Sequence, residues 1–134
     1  MDLQLQPGVK KQVEWTVTED RTAQHIGSGR VPVFATPAMV LLLETAAQQG
    51  VQPLLPEGMT TVGVHLDVKH LAPTPIGMKV TGRAELIRVD GRLLTFRVTA
   101  EDEVEPIGEG THQRAVIDVA RFQKRVEAKT GARR

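Results

Sequence analysis

The stretch VFATPAMVLLLETAAQQG, residues 33–50, decides the fold. It reads as a buried helix with one intrusion: between Val31 and Pro56 the only charged residue is Glu44. Thr36 is a good N-cap, and Pro37 follows at the first helical position, where its missing N–H costs nothing. Gly50, or the VQP after it, closes the helix. An unpaired carboxylate in so apolar a helix is costly. Glu44 is therefore paired, hydrated or employed in chemistry.

Upstream, VEWTVTED (Val13 to Asp20) alternates apolar and polar and predicts a first strand. RTAQHIGSGRVPVFA is irregular and predicts a loop over the core. Downstream of Pro56 the period becomes two. TTVGVHLDVKHLAP places Val62, Val64, Leu66 and Val68 on one face, with His70 continuing that inward series and His65 opposite it. GMKVTGRAELIRVDG aligns Met78, Val80, Ala84 and Leu86, and GRLLTFRVTAEDE aligns Leu94, Phe96, Val98 and Ala100. A last strand ends in Ala115, Ile117 and Val119. Asp90-Gly91 is a type I′ hairpin signal, and the tail RFQKRVEAKTGARR holds a short helix that then frays. One strand, one apolar helix and four strands with short turns predict an α+β fold, a five-stranded antiparallel sheet wrapped around the helix. The 134 residues suit one domain spanning 1–134, with 1–10 and 130–134 frayed.

Composition removes whole classes of function. A formal net charge of +1 argues against nucleic acid as a partner, and 3% aromatics with no tyrosine leave no stacking platform. There is no cysteine, which excludes disulfides, thiolate metal sites and cysteine nucleophiles. The four histidines show no metal spacing, so no metal is expected. No run approaches the ~18 apolar residues of a membrane span, and the first residues do not form a signal peptide. A soluble cytoplasmic protein is the expectation.

Three side chains remain. Glu44 is either a satisfied structural carboxylate or a catalytic group with a tuned pKa. His70 faces inward at a sheet rim, as a satisfied core histidine or as a general base. Thr36 is sufficient as a plain cap, yet a helix start also offers N–H groups that can polarise a carbonyl. On a regular helix Glu44 lies about 12 Å along the axis from Thr36, so either the helix starts late or the two contact different parts of a ligand.

The segments VFATPAMVLLLETA, TTVGVHLDVKHLAPTPIGMKVTGRAEL and IGEGTHQRAVID resemble the hot-dog fold acyl-CoA thioesterases, in the fluoroacetyl-CoA thioesterase-like branch. The resemblance covers about Val13 to Lys129. It implies the hot-dog fold, a homodimer or dimer of dimers with active sites at the dimer interface, and hydrolysis of an acyl-CoA to free acid and CoA. It implies Thr36, Glu44 and His70 as the catalytic set. Gly63 matches a glycine that lies against the thioester, and Arg114 an arginine whose role the match leaves open. The segment HIGSGRVPVFA is shorter than its counterpart and carries only Phe34 as an aromatic cover for the acyl group. That points to a small or medium acyl-CoA. No cofactor is implied, since coenzyme A belongs to the substrate. The alternative is a non-catalytic acyl-CoA-binding or sensing module. A hydratase ranks below both, because no second acid faces inward beside His70.

Overall fold

The computed structural model describes residues 3–133. The chain runs β1 (Lys10–Thr16), a 3₁₀ turn (Glu19–Arg21), α1 (Ala23–Ile26), α2 (Thr36–Val51), a second 3₁₀ turn (Gln52–Leu54), β2 (Met59–His70), β3 (Lys79–Asp90), β4 (Leu93–Asp102), β5 (Pro106–Asp118) and α3 (Val119–Gly131). The strands form one antiparallel sheet in the order β1-β3-β4-β5-β2. This is the α+β hot-dog arrangement expected from the sequence. Among the described residues, no helix is long and apolar enough to cross a membrane.

Helix α2 is the axis of the core. Met39, Leu42, Leu43, Ala46, Ala47 and Val51 are fully buried on it, against Val80, Leu86, Leu94, Phe96, Val98 and Ala100 of the sheet. The inward faces expected for β3 and β4 are the observed ones. Gly82 makes the close seating possible, because a Cβ there would lie 2.6 Å from Leu42 Cγ.

Several boundaries and faces differ from expectation, each for a local reason. The first strand ends at Thr16, because Thr18 donates to the Asp20 carboxylate and the chain turns. Leu5 is buried, and Gly8 and Val9 exchange backbone hydrogen bonds with Leu86, so the expected fraying does not extend over residues 5–9. Residues 1, 2 and 134 lie outside the described ones. Helix α2 runs through Gly50 to Val51. Gly50 serves packing instead of capping: a Cβ there would lie 3.0 Å from Lys11 Cβ of β1. The β3–β4 turn has Gly91 at φ +61° and no positive φ at Arg92, which is the II′ pattern and not I′. The tail forms a 13-residue helix, α3, capped by the Asp118 carboxylate on the Arg121 N–H.

The largest correction lies on β2. Its register with β5 shifts between Gly63 and His65, so Val64 is the extra residue of a bulge. A bulge reverses the alternation. Thr61 and Gly63 face the helix before it, and Val68 and His70 face inward after it; Val62 and Val64 do not share that face, and Val64 is exposed. On β5 the apolar core residues are Ile107 and Val116, with His112 and Arg114 on the side of Val116; Ala115 and Ile117 lie on the other face.

Candidate active site

Thr36 and His70 meet at one end of the sheet. His70 is the last residue of β2, and Leu71 donates to the Ile107 carbonyl, which fixes where the strand ends. Phe34 donates to the Thr74 carbonyl and Val33 bridges Pro75, so the chain entering α2 is tied to the chain leaving β2. Thr36 is the first helical residue and not the cap. Ala35 takes the cap position without a side-chain bond, and Pro37 is second in the helix. The reason is that the Thr36 hydroxyl is engaged elsewhere, with Oγ1 2.7 Å from His70 Nδ1.

This pair lines a cleft of about 400 Å³, shared with Val31, Val33, Phe34 and Leu71. Phe34 is itself buried beneath it. His70 Nε2 is buried and has no hydrogen-bond partner among the described residues. Burial pushes the His70 pKa below its ordinary value; the Ala72 backbone pulls weakly the other way, without completing a hydrogen bond. Such an imidazole stays neutral near pH 7 and can take a proton from the hydroxyl beside it.

Glu44 belongs to a second cluster, farther along α2. Its Oε2 lies 3.4 Å from Arg114 Nη1, and a Cβ on Gly63 would lie 2.8 Å from the same oxygen. Arg114 is nearly enclosed, with 7% of its side chain exposed against 33% for Glu44. Its other nitrogens are satisfied by Thr61: Nε donates to Oγ1 at 2.8 Å and Nη2 to the carbonyl at 3.1 Å. Burial depresses the Arg114 pKa, and the Glu44 charge opposes this. The carboxylate in the apolar helix is thus both paired and partly hydrated.

Within one chain, then, the structure brings Thr36, His70 and Phe34 together, and separately brings Glu44, Gly63 and Arg114 together. No hydrogen bond links the two groups among the described residues. His112 and Thr61 join the second cluster and were not singled out from the sequence; assigning β5 its parity from Val116 would have placed His112 and Arg114 inward together. Among the described residues no group of three or more His, Cys, Asp or Glu could hold a metal. A hollow of about 480 Å³ between Lys10, Arg83 and Arg97 lies on the outer face of the sheet, away from both clusters.

A family model for the fluoroacetyl-CoA-specific thioesterase matches residues 17–120. The fluoroacetyl-CoA thioesterase of Streptantibioticus cattleyicolor is 47% identical over 100 residues, covering 75% of this chain and 72% of that protein. The structure of a fluoroacetyl-CoA thioesterase variant in complex with acetyl-CoA superposes with a TM-score of 0.87 at 38% identity, covering 94% of this chain and 99% of that one. A thioesterase superfamily member from Thermus thermophilus reaches a TM-score of 0.86 at 28% identity, covering 96% and 97%.

Proposed function

Because the chain belongs to the fluoroacetyl-CoA-specific thioesterase family, we propose that it hydrolyses the thioester of a small or medium acyl-CoA to the free acid and CoA. The observation that carries the reading is the 2.7 Å contact between Thr36 Oγ1 and His70 Nδ1 at the wall of a cleft. The Thr36 oxygen attacks the thioester carbonyl while its proton passes to His70 Nδ1. The helix start, with its free N–H groups, faces the developing oxyanion. Collapse expels CoA, whose sulfur takes the proton from His70. Water, deprotonated by the same imidazole, then attacks the acyl-threonine ester; the Thr36 oxygen leaves with the proton returned by His70, and the acid is released. Phe34 and Val31 form the wall against the acyl chain.

The protein works as a single hot-dog domain in a cytoplasmic homo-oligomer, and the oligomer completes the site. Strand β2 is a long sheet edge, and Leu41, Val64 and Leu66 are exposed beside it. An edge of this kind invites pairing with a second copy. Antiparallel pairing about a two-fold axis between Leu66 and Asp67 sets Gly63 of one copy opposite His70 of the other. Glu44, held beside Gly63, then serves the second copy's threonine and histidine by stabilising the imidazolium and orienting water. A panel of acyl-CoA and acyl-carrier-protein thioesters tests the activity. Turnover of short acyl-CoAs supports it; tight binding of acyl-CoA without turnover would favour the sensing module.

A further inference from the structure

His112 is a fully buried titratable group that the mechanism above does not use. It sits on β5 opposite Leu66 of β2 and Phe96 of β4, its ring 6.2 Å from that of Phe96 and inclined by 29°. Its two nitrogens have unlike neighbours. Nδ1 lies 2.8 Å from the His65 carbonyl, and Nε2 lies 3.1 Å from Arg114 Nη1. A carbonyl can only accept and a guanidinium can only donate. Both contacts are satisfied by one form alone: a neutral imidazole with its proton on Nδ1 and its lone pair on Nε2. The His65 carbonyl follows the Val64 bulge, where the ladder is locally interrupted.

Resting on the thioesterase reading, we infer that His112 is a positioning residue. In its neutral Nδ1–H form it receives one hydrogen of Arg114 Nη1 and leaves the other aimed at Glu44, fixing the carboxylate that acts in hydrolysis. The charged groups around it agree. Arg114 on β5 and Glu44 on α2 face the ring, and the exposed His65 on the outer face of β2 acts on it only by its charge and its carbonyl; Phe96 on β4 contributes no charge. Burial, the Arg114 charge and His65 hold the His112 pKa down, against the pull of the His65 carbonyl and Glu44. Protonation would set two cations 3.1 Å apart and break the bond that aims Nη1.

Two replacements separate positioning from packing. Glutamine can donate to the His65 carbonyl and accept from Arg114; leucine fills space and does neither. His112→Gln is expected to keep kcat on acetyl-CoA within about 3-fold, and His112→Leu to lower it at least ~10-fold with KM changed less than ~3-fold. Nitrogen-15 NMR of the wild-type imidazoles at pH 7 should show His112 protonated at Nδ1 only, and this needs neither substrate nor variant. An Nε2–H or doubly protonated ring, wild-type kcat in His112→Leu, or equal losses in both variants would overturn the proposal. A wild type inactive on every thioester would instead overturn the hydrolase reading, whatever the NMR shows.

Discussion

Gly63→Ala isolates the geometry of Glu44 from the stability of the fold. The added Cβ would stand 2.8 Å from Glu44 Oε2, 3.3 Å from His112 Cε1 and 3.4 Å from Arg114 Nη1. Only the first contact is impossible, and it is with the free end of a flexible side chain. Restoring an ordinary 3.4 Å contact moves the carboxylate by about 0.6 Å, away from a guanidinium that Thr61 and His112 hold in place. Gly63 has no positive φ, so alanine fits its backbone and adds about 0.5–1 kcal/mol of chain-entropy stabilisation. That offsets the weakened ion pair, one partner of which is a third exposed. Melting temperature should therefore move by no more than about 3–5 °C. Displacement on this scale should still lower kcat/KM about 10²-fold, or about 2.7 kcal/mol of transition-state stabilisation. The assay is CoA-thiol release from acetyl-CoA beside a circular-dichroism melt. Wild-type kcat/KM in a folded Gly63→Ala protein would refute the role assigned to Glu44, and a collapse of the melt would show that the Glu44 side chain cannot yield to the added methyl.

Glu44→Gln should cost about 1 kcal/mol of stability or less, since the pair is long and partly hydrated, while turnover falls at least ~10²-fold; a large melting loss with turnover per folded molecule intact would make Glu44 structural. The pH profile of kcat/KM should hold below the ordinary histidine value of 6.5 and fall only as His70, whose pKa is depressed, takes up its proton; a midpoint above 6.5 would contradict this. For stability the sign is the same: the unfolded chain binds these protons first, so the contribution of His70 and His112 is complete above 6.5 and is lost as pH falls through their lower folded values, which acid melts will show. Mixing inactive His70→Ala with inactive Glu44→Gln should restore up to about a quarter of wild-type activity, because one site in each mixed dimer keeps both groups; no recovery after verified subunit exchange would place Glu44 in the same chain as its histidine.

The sheet and its helix were legible because their signals are long and regular. The apolar run around α2 and the inward residues of β3 and β4 hold one period over many residues, and packing obeys it. Failures cluster where one residue breaks the period. The Val64 bulge flips half of β2, so Val62 and Val64 look inward in the sequence and are not. His70 was rightly placed inward because it lies beyond the bulge in the same register as Leu66 and Val68. Polar residues set the true parity of β5: His112 and Arg114 share the core face with Val116, which hydrophobic alternation does not reveal. Thr36 looked like a cap because the sequence shows a hydroxyl before a proline; only the fold brings His70, 34 positions away, to claim it. Pairing of Glu44 with Arg114, 70 positions apart, was hidden for the same reason.

Hydrolysis at the cleft depends most directly on the His70 imidazole. His70→Ala and His65→Ala, on opposite faces of β2, should be compared in one acetyl-CoA hydrolysis assay. His65 is exposed, and its hydrogen bond to His112 runs through a backbone carbonyl that replacement keeps, so its replacement should leave kcat within about 2-fold. His70 holds the Thr36 hydroxyl, and its loss should lower kcat ~10²–10⁴-fold with the melt preserved. Equal rates for the two variants, or hydrolysis in the His70→Ala protein at the wild-type rate, would contradict catalysis at the Thr36–His70 pair.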